Sequence, residues 1–157
     1  MHLALICGRP DCVRVIVSQP GVDFAVKTNE GQSLTEVAVT SDRGDRVECL
    51  KILADVGGVD WNVQMDGGDG DTPIMWCLKN GKMDRFNVLL ECPRVDLNVR
   101  DSSGDTMALW ALKNDKLEIL KQFVGRVDVA IADKNGDTLA KIARFVEDRF
   151  QFFYFLM

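Results

Sequence analysis

Carboxylates collect in two short glycine-containing runs of the sequence, and calcium binding is the chemistry that such runs could perform. The runs are residues 66–71, DGGDGD, and residues 133–137, DKNGD. The first fits neither the D-x-[DN]-x-[DN]-G pattern nor the G-G-x-G-x-D pattern of calcium loops. In the second, Thr138 and Arg144 stand where a calcium loop requires glycine and a ligating carboxylate. Both runs therefore favour acidic turns, and we predict no metal site and no cofactor.

The sequence does not offer the set of residues that nucleophilic catalysis requires, namely a nucleophile, a base and a group that orients the base. His2 is the only histidine, and no serine or cysteine can be placed beside it together with a carboxylate that would orient its ring. Acid–base catalysis by Asp or Glu would need carboxylates that are withdrawn from water. Whether any carboxylate is so withdrawn depends on the fold.

Two cationic patterns, Lys79-Asn80-x-Lys82 and Lys113-Asn114-x-Lys116, lie 34 residues apart. Lysines at the C-terminus of a helix complement its macrodipole and contribute about 0.3–1 kcal/mol each. The same side chains are suited to contact a partner, and both roles can hold. Trp76 and Trp110 precede them at the same spacing, and we interpret both as a core layer rather than as exposed anchors. We expect Trp61 to be half-buried.

These matched residues belong to a repeat. Residues 70–99 read GDTPIMWCLKNGKMDRFNVLLECPRVDLNV, and residues 104–131 read GDTMALWALKNDKLEILKQFVGRVDVAI. Gly70 and Gly104 are 34 residues apart, and Gly104 and Gly136 are 32 apart. A period of about 33 residues is typical of a turn followed by two helices. A stack of such repeats offers a long open surface and no enclosed pocket, so it favours the binding of another protein.

A second marker shows how far the repeat extends. The motif Val-Asp-apolar begins at Val22, Val59, Val95 and Val127. We therefore predict a single domain over residues 1–157 with five repeats: 1–28, 29–65, 66–100, 101–132 and 133–157. The first repeat is truncated, because the chain begins inside its first helix, and the last is atypical.

Each repeat is predicted to be a hairpin of helices. In the third repeat, Thr72 can cap a helix, Pro73 suits its first position, and Gly81 ends it. The second helix is predicted over about 83–91 there and over about 117–124 in the fourth repeat. Residues 40–46 hold about three extra residues in the joint between the helices of the second repeat. The predicted inward side chains are Ile74, Cys77, Leu78, Phe86, Leu89, Leu90, Leu117, Leu120 and Val124.

With Gly70-Asp71-Thr72-Pro73-Ile74 in the third repeat and His2-Leu3-Ala4 in the first, the chain resembles the ankyrin repeat family, whose units carry a T-P-L-H-x-A signature. The resemblance covers residues 1 to about 143. It implies an all-α fold, a solenoid of helix-turn-helix units joined by short β-turn or hairpin-like loops. The signature histidine is replaced in the later repeats, so the polar tie between neighbours is largely absent and we expect lower stability; the replacements are Glu36, Met75, Leu109 and Lys141.

The resemblance also implies a concave binding surface lined by first-helix ends and turn tips. The helix ends supply a basic floor, and the tips supply an acidic rim that would steer a charged partner. We expect the carboxylates of the rim to contribute little to the buried part of the protein. The floor residues are Lys79, Asn80, Lys113 and Asn114, and the tip residues are Asp69, Asp71, Ser102, Ser103, Asp105, Lys134, Asn135 and Asp137.

Composition narrows the partner and the compartment. The net charge is −5, so nucleic acid is not expected as a partner and a protein with a basic segment fits better. Five cysteines, an odd number without metal spacing, indicate reduced thiols in cytoplasm or nucleus. No apolar stretch is long enough for a membrane span. Residues 150–157, FQFFYFLM, carry five aromatics among eight residues, which predicts self-association or docking at this end.

Two functions follow as hypotheses. The first is a scaffold or adaptor module that binds a partner protein along its concave face. The second is a structural spacer or regulatory ankyrin segment of a larger multidomain protein whose activity lies outside this chain. Because the open face of a solenoid does not desolvate carboxylates, we predict that the chain is not an enzyme.

Overall fold

The structure is a computed structural model that describes residues 1–42, 44–66 and 69–144. Within these ranges the chain is all-helical and forms no strand, which confirms the predicted fold class. Two isolated β-bridges, Arg100 with Thr106 and Ala132 with Thr138, mark hairpin-like loops. The helices are α1 His2–Ile6, α2 Pro10–Val17, α3 Leu34–Thr40, α4 Arg46–Asp55, α5 Pro73–Lys79, α6 Met83–Glu91, α7 Met107–Lys113, α8 Leu117–Phe123 and α9 Leu139–Arg144, with a 3-10 turn at Val124–Arg126.

The chain divides into two compact units, Met1–Val95 and Asp96–Met157. The N-terminal unit holds three helix pairs, in which α1 packs on α3 and α3 on α5, while α2 packs on α4 and α4 on α6. In the C-terminal unit, α7 packs on both α8 and α9. The second helices match the prediction closely, since α6 spans Met83–Glu91 and α8 spans Leu117–Phe123.

Apolar side chains on one face of each helix form the core. Most of the predicted inward residues are buried, including Ile74, Phe86 and Leu120, whereas Leu90 and Leu117 are half-buried. The tryptophans differ from the prediction. Trp76 and Trp110 are half-buried rather than core, and Trp61 is only 1% exposed where we expected half-burial. The aromatic residues 150–157 lie outside the described part of the chain.

The joints between paired helices are short, three residues long at 7–9, 80–82 and 114–116 and five long at 41–45. The lengthened joint was predicted, and a buried arginine of the next helix pair holds it. Arg85 of α6 donates one hydrogen bond to the Val39 carbonyl and another, of 2.8 Å, to the Asp42 carboxylate. The insertion is therefore anchored to the core and does not interrupt the packing of α3 on α5.

Candidate functional site

The tips of the C-terminal unit are two β-turns of the same design. The Gly104 N–H donates to the Asp101 carbonyl at 2.9 Å, and the Gly136 N–H donates to the Asp133 carbonyl at 3.1 Å. Both glycines have left-handed φ angles, 81° and 78°, which a side chain would strain. The prediction of tight glycine turns between repeats is confirmed here.

An aspartate side chain fixes each of these turns from inside. Asp101 accepts a hydrogen bond from the Asp105 N–H at 2.9 Å. Asp133 accepts from the N–H groups of Asn135 and Asp137 at 2.8 and 3.0 Å. The ammonium of Lys134 also donates to the Ser102 carbonyl, which ties the second tip to the first. Hydrogen bonds therefore join the two tips into one polar surface within this unit.

Lysines at the ends of the first helices each reach back to an aspartate of the preceding turn, and Lys113 also reaches Asp133 of the turn that follows α8. The Lys79 Nζ lies 2.5 Å from an Asp71 carboxylate oxygen, and the Lys113 Nζ lies 2.6 Å from Asp105 and 2.7 Å from Asp133. Lys141 also pairs with an aspartate of the preceding turn, Asp137, but from the third residue of α9 and over only four residues. The predicted helix-end cations are thus present, but their charge is directed at the chain's own carboxylates.

The ion pair between Lys113 and Asp133 shifts the pKa values of both groups. The hydrogen bond from Lys113, with help from the backbone N–H groups of Asp137 and Asn135, lowers the pKa of Asp133 to about 2. Burial opposes the charge of Lys113, but its hydrogen bonds to Asp105 and Asp133 outweigh this and raise the pKa of the ammonium. Lys113 and Asp133 therefore both stay ionised at neutral pH.

The expected acidic rim is wrong in one respect. Asp71 and Asp105 are only 4% and 8% exposed, so the expectation that these carboxylates contribute little to burial is contradicted, and Asp137 is half-buried. The physical reason is that a buried carboxylate requires a partner, and the long lysine side chain supplies it from two helical turns away. The charges of Asp71 and Asp105 are therefore paired with lysines of the same repeat.

The other predicted contact residues remain accessible. Asn80 and Asn114 are exposed, and each amide also donates to the carbonyl of a tryptophan four residues earlier, at 2.9 and 2.8 Å. Asp69 of the N-terminal unit is exposed too. In the C-terminal unit the exposed tip residues are Ser102, Ser103, Lys134 and Asn135.

The Val-Asp-apolar motif has a role that its use as a repeat marker did not reveal. Its aspartate accepts a hydrogen bond from the N–H two residues later, at 2.8–2.9 Å, in all four copies: Asp23, Asp60, Asp96 and Asp128. Asparagines that follow the motif link successive repeats, since Asn62 donates to the Arg94 carbonyl and Asn98 accepts from the Asp128 N–H. Asp-x-x backbone turns have this pattern, so the spacing could have predicted them.

The described residues give little support for metal binding, for crossing a membrane or for a reactive cysteine. Among residues 1–42, 44–66 and 69–144, no three His, Cys, Asp or Glu side chains are grouped to hold a metal ion. No helix in these same ranges is long and apolar enough to cross a membrane. Cys77 is fully buried, and that burial raises the pKa of its thiol to about 12, which makes it a poor nucleophile.

Comparison with known proteins assigns the class. A family model described as "Ankyrin repeats (3 copies)" matches residues 35–135, and the chain belongs to the ankyrin repeat family. Two solved structures share the fold. EF0377, an ankyrin repeat protein, is 20% identical with a TM-score of 0.69 over 99% of this chain and 78% of its own. An ankyrin repeat domain, ABAYE2397 of Acinetobacter baumannii AYE, is 15% identical with a TM-score of 0.63 over 99% and 94%. No curated protein sequence matches the chain.

Proposed function

We propose that this chain is a scaffold or adaptor module and binds a partner protein through its turn tips and first-helix ends. Ankyrin repeats are generally protein–protein interaction modules, and their fold is typically not enzymatic. The observation that carries the proposal is the pair of tips in the C-terminal unit, which hydrogen bonds hold from inside while their outer side chains stay exposed.

The internal hydrogen bonds of the tips matter because a surface that is ordered before binding loses little conformational entropy when a partner binds. Ser102, Ser103 and Asn135 offer uncharged donors and acceptors, and Lys134 offers a cation. The carboxylates behind them are paired with lysine. We therefore favour a partner that is recognised by hydrogen bonds along an exposed backbone or polar loop. The paired carboxylates do not support the earlier expectation of a basic segment.

The test is quantitative capture from an extract of the source cells with the full chain as bait. The paired substitution S102R/N135R places two bulky cations on the tips, and we expect a loss of at least tenfold in the captured partner. The control is Gln122→Arg, an exposed position of α8, which should leave capture unchanged. Circular dichroism of all three proteins should coincide, because these side chains are exposed.

The second candidate is a spacer or regulatory segment of a larger protein, located in cytoplasm or nucleus. For either candidate, the proposed compartment is supported by the five cysteines, which are all free thiols, two exposed and three buried, as suits a reducing environment. The adaptor proposal predicts a protein that the wild-type chain captures and that S102R/N135R does not. If no such protein is found, the adaptor proposal fails and the spacer is favoured.

Self-association through residues 150–157 remains a proposal as well. Five aromatics among eight residues provide the apolar surface. Light scattering should show a smaller mass for the chain without residues 150–157 and an unchanged melting temperature. A lower melting temperature with an unchanged mass would instead identify the segment as a cap of the stack.

A further inference from the structure

The sequence contains two Asn-Gly pairs, Asn80-Gly81 and Asn135-Gly136. In such a pair the side-chain amide of asparagine lies next to a peptide nitrogen that no following side chain shields. Both asparagines are exposed, and among the described residues no atom lies within 4 Å of the place that a Cβ atom of either glycine would occupy. Solvent therefore reaches both pairs, and asparagine is one of the chemically labile residues.

The backbone holds the two glycines in similar ways. The Gly81 N–H donates to the Leu78 carbonyl at 3.2 Å, and the Gly136 N–H donates to the Asp133 carbonyl at 3.1 Å. The two φ angles are also similar, 67° and 78°. A glycine nitrogen can react only when its hydrogen bond opens. The backbone bonds of the glycines therefore give no reason for the two pairs to react at different rates.

The two asparagine side chains differ. The Asn80 amide donates to the Trp76 carbonyl at 2.9 Å, which fixes its rotamer at the end of α5. The Asn135 side chain makes no hydrogen bond to any residue that the structure describes, although its backbone N–H donates to the Asp133 carboxylate. The Asn135 amide can therefore turn towards the Gly136 nitrogen without breaking a hydrogen bond, whereas the Asn80 amide must first leave the Trp76 carbonyl.

We propose that Asn135 is a site of spontaneous deamidation and that the contact with Trp76 protects Asn80. The Gly136 nitrogen gives up its proton to hydroxide and attacks Cγ of Asn135. A bond forms between that nitrogen and Cγ, the bond from Cγ to Nδ2 breaks, and Nδ2 leaves as ammonia after taking a proton from water. Water then opens the cyclic imide at either carbonyl, which leaves aspartate or isoaspartate at position 135.

The product changes the tip in which it forms. A carboxylate at position 135 removes an uncharged donor from an exposed surface and places a negative charge directly after Lys134. Isoaspartate also lengthens the backbone between Asp133 and Asp137, whose two mutual hydrogen bonds are both 3.0 Å long. We expect that product to loosen the turn. The modification itself does not rest on the turn-tip function, because it is measured on the chain alone.

The test is peptide mapping by mass spectrometry of the folded chain during incubation in mildly alkaline buffer. Deamidation replaces an amide NH₂ by OH, and the fragment that contains the residue gains the corresponding mass. We expect the Asn135 fragment to convert about tenfold faster than the Asn80 fragment, a ratio that one side-chain hydrogen bond can produce. Conversion at Asn135 that is no faster than at Asn80 overturns the proposal.

The same measurement in concentrated urea separates structure from sequence. Unfolding releases the Asn80 amide, so both fragments should then convert at similar rates, because both asparagines precede glycine. A tenfold ratio that persists in urea overturns the structural argument, and so does a folded chain in which Asn135 stays intact while the unfolded chain converts. Asn114 is the matched control, since its amide bonds to the Trp110 carbonyl at 2.8 Å but no glycine follows it, and it should stay unconverted in the folded chain. Asn135→Gln should remove the rapid conversion, because the longer side chain closes a ring less readily.

Discussion

The helix pairs α5–α6 and α7–α8 share the pattern W-x-L-K-N-x-K, at residues 76–82 and 110–116, and comparing them separates what the repeat fixes from what it leaves free. In both, the lysine that ends the first helix bonds an aspartate eight residues earlier, Lys79 with Asp71 and Lys113 with Asp105. In both, the following asparagine bonds back to a tryptophan carbonyl. Recurrence of the same contacts from the same residues indicates that these side chains belong to the structure of the repeat as well as to its surface.

The two pairs differ at the start of the first helix and at the joint. Thr106 accepts a hydrogen bond from the Leu109 N–H at 3.4 Å, whereas the buried hydroxyl of Thr72, which precedes Pro73, has no hydrogen-bond partner among the described residues. The middle of the joint is Gly81 in one pair and Asp115 in the other, and both have left-handed φ angles, 67° and 58°. The backbone requirement is therefore constant while the residue that meets it changes.

The end of the second helix differs too. α6 runs nine residues to Glu91, but α8 runs seven residues and continues as the 3-10 turn Val124–Arg126. The glycine spacing explains this, since the α7–α8 repeat is two residues shorter than its predecessor, 32 against 34. A tighter turn with a larger rise per residue spans the same distance with fewer residues.

The largest effect should come from reversing the charge of a repeat aspartate. Asp71→Lys and Asp105→Lys each bury a cation beside a lysine, so we expect each to lower the free energy of unfolding by about 3–5 kcal/mol. Urea denaturation measures the change. The control is Glu30→Lys, which reverses an exposed carboxylate in the turn before α3 and should change stability by less than about 0.5 kcal/mol. Near-wild-type stability of both aspartate variants would show that the ion pairs are incidental.

Much of the fold could be predicted because its determinants are local. Pro73 at a helix start, Gly81 at a joint and the apolar spacing of α6 each act within a few residues, and the predicted range of α6, about 83–91, agrees with the observed Met83–Glu91. The full burial of Trp61 could not be predicted, since it depends on which neighbouring repeats cover it.

The candidate site likewise has features that could be predicted from local sequence and features that could not. The exposure of Ser102, Ser103, Lys134 and Asn135 follows from turn chemistry and is confirmed. The burial of Asp71 escaped prediction because its partner is eight residues away, and side-chain pairs on helices are normally expected three or four residues apart. The ion pair forms only because the aspartate lies in the turn before the helix and the lysine side chain extends back along it.

Acid should weaken the C-terminal unit through Asp133. Because its folded-state pKa is about 2 and lies below that of an ordinary aspartate, it contributes stability that is present above about pH 4 and is lost as the pH falls towards 2. Melting temperatures of the wild type and of Asp133→Asn between about pH 6 and pH 2 test this. The melting temperature of the wild type should fall more on acidification than that of Asp133→Asn. Equal falls in the two proteins would contradict the lowered pKa of Asp133.

Exchanging the joint residues should have opposite effects in the two pairs. Gly81→Asp adds a side chain at a φ of 67° and should destabilise by about 1 kcal/mol, while Asp115→Gly removes one at 58° and should stabilise by about 0.5–1 kcal/mol. Thermal unfolding of both variants gives the sign directly. Destabilisation by Asp115→Gly would show that the Asp115 side chain makes a contact worth more than the backbone strain.

The smallest difference should appear at the two helix starts. Thr106→Val loses the hydrogen bond to the Leu109 N–H and leaves that buried group unpaired, so we expect a loss of about 1 kcal/mol. Thr72→Val replaces a buried hydroxyl that has no partner among the described residues by a methyl group of similar size, which should be neutral within about 0.5 kcal/mol or slightly stabilising. Valine is the right substitution in both cases because it preserves side-chain volume, so cavity formation does not enter the comparison.

Urea denaturation of the two variants measures the difference between their free energies of unfolding. Equal losses would mean that both threonines cap their helices in solution, and the contrast between the two helix starts would then disappear.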